Sequence, residues 1–182
     1  VAAHRRVVVD SSFEPDPAVA AVVDSFAAEV EQTLDEPVGV LAAPLACRFQ
    51  AIRTAETNGG NFVADVVRAA ACADVSILNS GTLRSDTVHA AGLFTKRDLV
   101  NLLPMADEVC VVQMTGAVLL RALENGVSQF PKLEGRFPQV SGVRFSFDAS
   151  QAPGARVKDV SVGPEPLDPA RHYAVAMKQY MR

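Results

Sequence analysis

The sequence lacks both the residue clusters that bind metals and the long apolar runs that cross membranes. Its three histidines, His4, His89 and His172, are scattered, and no His-x-His or His-Glu-x-x-His motif gives them metal-ligand spacing. We therefore expect no metal site in this chain. Long apolar runs such as VGVLAAPLAC at 38–47 contain a proline and are shorter than the ~20 residues of a spanning helix, so no membrane span is expected.

Cysteine and positive charge are also scarce. The three cysteines, Cys47, Cys72 and Cys110, are odd in number and have no Cys-x-x-Cys spacing, so we interpret them as small buried apolar residues. The net charge is −4 and the pI is near 5.4, whereas a general polyanion binder usually has a pI above about 9. The chain is not expected to bind a nucleic-acid polymer, and any anion site must be local.

The composition is that of a folded globular domain. The 182 residues are 49% hydrophobic and 21% charged, which are ordinary values, and we expect residues 1–182 to form one domain. The first ten residues, VAAHRRVVVD, do not match a signal peptide, because charges lie inside the run and no apolar segment follows.

Helix and strand patterns are interleaved without a strict alternation. This arrangement predicts an α+β domain with mixed sheets rather than a doubly wound fold. Helical patterns begin at Pro17, near Gly60, after Thr95 and after Thr115, and strand patterns cover 74–79, 108–114, 142–148, 156–162 and 172–180.

The first helical pattern is amphipathic. Asp16 has the character of an N-cap and Pro17 that of a first helical residue, so the helix is expected to begin there. Its apolar residues recur at helical spacing, and we expect them to pack on a core: Val19, Val22, Val23, Phe26 and Val30.

Polar residues follow the apolar strand pattern in ILNSGTLRSD (77–86). Asn79 offers hydrogen-bond donors and an acceptor, Gly81 allows a ligand to approach the backbone, and Arg84 offers a planar fork that suits phosphate or carboxylate. These residues predict an anion pocket at a strand end. The alternative is an ordinary turn with a solvated arginine.

A second anion-friendly motif is RTAETNGGN (53–61). Arg53 precedes a glycine-rich helix start, where free backbone N–H groups attract negative charge. The alternative is a helix cap beside a surface arginine.

Together with the segments that follow, these motifs resemble the C-terminal, substrate-binding domain of the 5′-nucleotidase family, which includes the UDP-sugar hydrolases. The resemblance covers nearly the whole chain, and it rests on several motifs in the family's order. They are Arg53-x-x-Glu56, Gly60-Asn61 with Asp65, Asn79-x-Gly81-x-x-Arg84, GLFT (92–95), LLPMAD (102–107) and Thr115-Gly116.

The resemblance implies a fold and a set of site residues. The fold would consist of mixed sheets with helices on their outer faces, in α/β/β/α layers. Arg53 and Arg84 correspond to the arginines that hold the substrate's phosphate, and Asn79 and Gly81 line the same pocket. Met105 and Tyr180 stand where the family places two aromatic rings around the base of a nucleotide.

Met105 departs from the family pattern. A thioether contacts an aromatic face less strongly than a stacked ring does, so the base is held less firmly on this interpretation. The alternative makes Met105 a core residue beneath the loop after Pro104. Asp107 also replaces a residue expected to be neutral, which favours a base that presents N–H donors.

The resemblance further implies that catalysis belongs to another domain. In the family, a divalent metal pair such as zinc or manganese lies in an N-terminal metallophosphatase domain, whose motifs are absent from this chain. We therefore expect no catalytic residue here, and we interpret the chain as a partial protein that binds substrate. Family analogy favours an extracytoplasmic location. The alternative is a stand-alone nucleotide-binding or interaction module without catalysis.

Overall fold

The computed structural model describes residues 4–182, apart from the side chains of Glu29 and Gln32, and the chain divides into two compact units, Val1–Glu36 and Pro37–Arg182. The expectation of a single domain over residues 1–182 stays a prediction. No helix in the described range, 4–182, is both long enough and apolar enough to cross a bilayer.

The first unit contains helix α1 (Pro17–Leu34). Asp16 caps it as predicted, because its carboxylate accepts hydrogen bonds from the backbone N–H groups of Ala18 and Val19. The prediction that its apolar side chains face a core is wrong. A unit of this size has little apolar surface with which to cover a helix face. The exposed fractions are 61% for Val19, 55% for Val22, 58% for Val23, 64% for Phe26 and 49% for Val30.

The second unit is a mixed α+β structure, which confirms the predicted fold class. Its helices are α2 (Phe49–Ile52), α3 (Asn58–Ala70), α4 (Lys96–Leu102) and α5 (Gly116–Val127), with 3-10 turns at Ser80–Thr82 and Gln179–Met181. Its strands are β1 (Pro37–Leu41), β2 (Leu45–Ala46), β3 (Val75–Asn79), β4 (Val88–His89), β5 (Gly92–Thr95), β6 (Val109–Thr115), β7 (Pro138–Ser141), β8 (Val143–Phe147), β9 (Val157–Val162), β10 (Glu165–Pro166) and β11 (His172–Lys178).

A four-stranded sheet in the order β6-β11-β3-β7 forms the centre of this unit. The β11–β3 pair is parallel and the other two pairs are antiparallel. Strand β3 alternates between two apolar clusters, since Ile77 packs with Leu119 and Leu123 of α5, whereas Leu78 packs with Val63 of α3. Helices α3 and α5 thus cover opposite faces of the sheet, and α5 turns Leu119 and Leu123 inward as predicted.

Buried Gln139 on β7 connects this sheet to the turn that follows α2. Its Nε2 donates to the carbonyl oxygens of Ile52 and Ala55, both at 2.8 Å, and only 1% of the residue is exposed. Helix α3 can approach this side chain because residue 60 is glycine, where an added Cβ would lie 2.0 Å from the Gln139 Oε1. The two hydrogen bonds fix the chain on both sides of Arg53.

We expect Gln139→Leu to lower the free energy of unfolding by about 1–3 kcal/mol, because the buried carbonyl of Ile52 and the partly buried carbonyl of Ala55 would lose their donor. Urea denaturation followed by circular dichroism measures this loss. Gln113→Leu is the matched control, since Gln113 is exposed on β6, and a change within about 0.5 kcal/mol is expected there. Equal losses in both variants would contradict a special role for Gln139.

The three cysteines have different surroundings. Cys47 is fully buried, as predicted, but Cys110 is only half-buried and Cys72 is exposed. Cys72 lies just beyond the end of α3 with a φ of 49°, in a turn that leaves its side chain in solvent. Burial raises the pKa of the Cys47 thiol to about 11.

Thiol labelling at pH 8 should therefore separate Cys47 from Cys72. Only the thiolate attacks an aromatic disulfide reagent, and the thiolate fraction at Cys47 is on the order of one in a thousand at this pH. Cys72 should react in the folded protein, and Cys47 should react at least about a hundredfold more slowly until urea unfolds the chain. Peptide mass spectrometry assigns each site, and Cys72→Ser should remove the fast phase. Fast labelling of Cys47 in the folded protein would contradict its burial.

Candidate functional site

The short helix α2 presents a ring and a guanidinium on one side. The backbone N–H of Phe49 donates to Asp86 Oδ1 at 2.7 Å, which joins the start of α2 to the turn after β3. Arg53 follows one helical turn after Phe49, and its guanidinium carbon lies 4.0 Å from the centre of the Phe49 ring. Its Nη1 also donates to the Leu133 carbonyl at 3.0 Å. Arg53 is therefore held from two directions.

The turn after β3 brings Arg84 to the same ring. The backbone N–H of Arg84 donates to the Leu102 carbonyl at 2.9 Å, which attaches this turn to the end of α4. The Arg84 guanidinium carbon lies 5.8 Å from the centre of the Phe49 ring. Two arginines from separate turns of the second unit thus converge on one phenylalanine.

Arg53 and Arg84 bring two positive charges to one region of the second unit. Among the described residues, neither Arg53 nor Arg84 forms an ion pair. The Nε atom of Arg53 is buried and has no hydrogen-bond partner within that part of the chain. A buried donor without an acceptor costs free energy. The pair is therefore a local positive site in a chain whose net charge is −4.

Asn79 and Gly81 shape the turn itself. Asn79 Oδ1 accepts from the Thr82 hydroxyl at 2.7 Å, and the Gly81 N–H donates to the Gly135 carbonyl at 2.9 Å. An added Cβ at Gly81 would lie 3.1 Å from Asn79 Nδ2 and 3.2 Å from the Cα of Gly135, so the two glycines allow a close backbone approach. Residues 133–135 thus contact both Arg53 and Gly81, and they bring the two predicted motifs together.

A polar cavity of about 380 Å³ lies beside Arg84. His89 is buried in its wall, with Nε2 3.1 Å from the Ser85 hydroxyl and Nδ1 3.5 Å from Asp98 Oδ1. The backbone N–H of Thr95 donates to the other carboxylate oxygen at 3.0 Å, and mainly this bond lowers the pKa of Asp98. The contacts of His89 link the residue after Arg84 to the first turn of α4.

Met105 and Tyr180 lie on neighbouring segments. Met105 is 47% exposed, so the alternative that it is a core residue is wrong. Tyr180 is 61% exposed, and its turn is joined to the loop of Met105 by a hydrogen bond from the Gln179 N–H to the Glu108 carbonyl at 2.9 Å. The carboxylate of Asp107 already has a partner, because its Oδ2 accepts a hydrogen bond from Lys178 Nζ at 2.6 Å. Its predicted preference for a base with N–H donors stays a prediction.

One cleft beside the central sheet contains only part of the predicted set. Asn79 and Tyr180 line a cleft of about 780 Å³ together with Arg136 and apolar side chains of the central sheet. Arg53, Arg84 and Met105 do not line it. The structure therefore places the arginines around Phe49 and the tyrosine beside the cleft, while Asn79 lines the cleft and ends the strand that leads to the turn of Arg84.

The residues that hold the arginines were not predicted from the sequence. Phe49 offered a weak signal, because it lies four residues before Arg53 and is thus on the same side of a helical turn. Leu133 and Gln139 offered none, since both act through contacts with distant segments. Within residues 4–182, the structure shows no group of three or more His, Cys, Asp or Glu that could hold a metal ion.

Comparison with known proteins assigns the family. The family model for the 5′-nucleotidase C-terminal domain matches residues 37–182. The trifunctional nucleotide phosphoesterase protein YfkN of Bacillus subtilis is 34% identical over 158 residues, which are 85% of this chain and 11% of that protein. A snake venom 5′-nucleotidase of Naja atra is 27% identical over 177 residues, with 88% of this chain and 33% of the venom protein covered.

A solved structure agrees with these relatives. The crystal structure of a 5′-nucleotidase precursor from Thermus thermophilus superimposes with a TM-score of 0.82 at 29% identity, covering 90% of this chain and 33% of that one. The chain spans a third or less of the length of these three proteins. Because the family model matches the second unit from end to end, the chain belongs to the family of 5′-nucleotidase C-terminal domains.

Proposed function

We propose that residues 37–182 are the substrate-recognition domain of a 5′-nucleotidase-like phosphoester hydrolase. The observation that carries this proposal is the convergence of Arg53 and Arg84 on Phe49 without an ion pair for either arginine among the described residues. Guanidinium groups bind phosphate through charge-assisted, often bidentate hydrogen bonds. The Bacillus relative is a nucleotide phosphoesterase by name, which supports a nucleotide as the ligand.

On this proposal each residue has a defined role. Arg53 and Arg84 hold the phosphate, while Asn79 and Gly81 shape the turn beside it. Met105 and Tyr180 contact the two faces of the base, and their exposure leaves both side chains accessible to a ligand. A thioether and a ring form a weaker clamp than two rings would, so the phosphate contacts dominate the affinity.

Hydrolysis would take place on another part of the protein. The described residues of this chain contain no cluster of side chains that could bind a metal ion. On this proposal, a metallophosphatase domain of the same protein would supply the divalent metal pair. This chain's residues would bind the nucleotide and orient its phosphate toward that domain. The venom relative and the Thermus precursor support an extracytoplasmic location for such a protein.

Removing either arginine should weaken phosphate recognition. Charge-assisted hydrogen bonds contribute ~1.5–3 kcal/mol each, so Arg53→Ala or Arg84→Ala should weaken nucleoside monophosphate binding by about tenfold to a hundredfold. Isothermal titration calorimetry with AMP measures this change, and adenosine binding should stay within about twofold of the parent value. Arg121→Ala is the matched control, because Arg121 is exposed on α5. AMP binding at the parent affinity in both site variants would refute the proposed roles.

Met105→Phe tests the base clamp. Stacking on an added ring contributes at most about 1–3 kcal/mol per base, and fitting a bulkier side chain offsets part of that gain. We expect AMP and adenosine to bind up to about tenfold more tightly, while the affinity for inorganic phosphate stays unchanged. Calorimetry with all three ligands, together with a thermal melt of the variant, provides the measurement. Unchanged nucleoside affinity in a stably folded variant would remove Met105 from the site.

A further inference from the structure

Lys178 is a buried lysine whose ammonium group is paired with the Asp107 carboxylate. It is the last residue of β11, and 8% of its side chain is exposed. Lysine is almost never fully buried unless it is paired, because its ammonium group loses hydration. Its Nζ lies 2.6 Å from Asp107 Oδ2, and the side chain of Asp107 is 36% exposed. The surface pair of Lys158 and Asp148, by contrast, is longer at 3.0 Å, and its lysine side chain is 51% exposed.

The ion pair of Lys178 and Asp107 lies at the end of the paired region of β11 and β6. Lys178 and Val109 are the last residues in register between β11 and β6. Asp107 precedes Val109 by two residues, so the pair crosses the two strands diagonally, a distance that a lysine side chain can span. The hydrogen bond from the Gln179 N–H to the Glu108 carbonyl, at 2.9 Å, lies beside it.

Beyond this point the two chain segments carry the base-clamp residues. Met105 lies two residues before Asp107, and Tyr180 lies two residues after Lys178. Neither segment belongs to a strand there, because residues 103–108 have no regular structure and Gln179–Met181 form a 3-10 turn. The ion pair thus joins the two segments within two residues of each exposed side chain.

We propose that the ion pair between Lys178 and Asp107 is a positioning device that fixes the separation of Met105 and Tyr180 and so sets the affinity for the base. This inference rests on the proposed function, since it assigns the pair to the base end of the same site. The phosphate end depends on other contacts. Arg53 is held by Leu133 and by the turn that Gln139 binds, and none of these contacts passes through Lys178.

Lys178→Met tests the inference, with Lys158→Met as the matched control that also removes a lysine from an ion pair. Methionine keeps most of the buried stem of lysine and removes the charge. We expect Lys178→Met to weaken adenosine and AMP binding by about threefold to tenfold, while inorganic phosphate binds as it does to the parent. Calorimetry measures the three affinities, and Lys158→Met should change none of them.

A ligand-free measurement separates this inference from the proposed function. Amide hydrogen exchange at Gln179 should accelerate about tenfold in Lys178→Met, because its hydrogen bond to Glu108 would open more often. Unchanged exchange, unchanged adenosine affinity, or an equal loss of phosphate affinity would each overturn the positioning role. A parent chain that binds neither AMP nor adenosine overturns the proposed function and the base-clamp role, while the exchange rate still decides whether the pair fixes the segment.

Asp107→Asn is a second variant, which tests the inference independently if Lys178→Met does not fold. It keeps the size of the side chain and leaves Lys178 in place, but it removes the counter-charge. The same losses in adenosine affinity and in Gln179 protection are expected, together with a lower melting temperature, because an unpaired buried ammonium is unfavourable. Parent-like values for both quantities in Asp107→Asn would also overturn the inference.

Discussion

The buried side chain of Gln139 is the constraint on which the arrangement of the site depends. Its amide binds the carbonyls of Ile52 and Ala55, and the strand that carries it pairs with β3, which ends at Asn79. Gln139 therefore fixes the position of the Arg53 turn relative to the end of β3, where the turn that carries Arg84 begins. Because each buried polar group in this contact is satisfied, the geometry is specified more sharply than apolar packing alone would specify it.

The two arginines place positive charge at one point of a chain whose net charge is negative. Phe49 offers the face of its ring to Arg53, and such a contact is favourable without neutralising the guanidinium charge. Like charges repel, and the hydrogen bond from Arg53 to the Leu133 carbonyl, together with the main-chain bond from Arg84 to Leu102, opposes their separation. The Arg53 side chain is thus held by a ring and a carbonyl, whereas Arg84 is fixed through its main chain.

The sequence predicted the parts of the fold that local chemistry determines. The helix starts at Asp16, Thr95 and Thr115 were predictable because each cap binds N–H groups within its own first turn. Strand β7 was not predicted, because a four-residue segment that begins with Pro138 gains its stability from pairing with β3. The family motifs drew attention to both arginine-bearing turns, but Phe49 and the loop of Leu133 come from tertiary contacts that no local pattern encodes.

The contacts around Arg53 also bear on the order of events during synthesis. Gln139 lies 87 residues after Ile52, and Leu133 lies 80 residues after Arg53. A ribosome that adds 5–20 residues per second needs roughly 4–17 s to cover such a distance. During that interval the carbonyls of the turn have no side-chain donor, and a long loop must close before the contact forms. The Arg53 turn therefore cannot mature on the nascent chain until Gln139 has been synthesised, although β11 completes the central sheet later still.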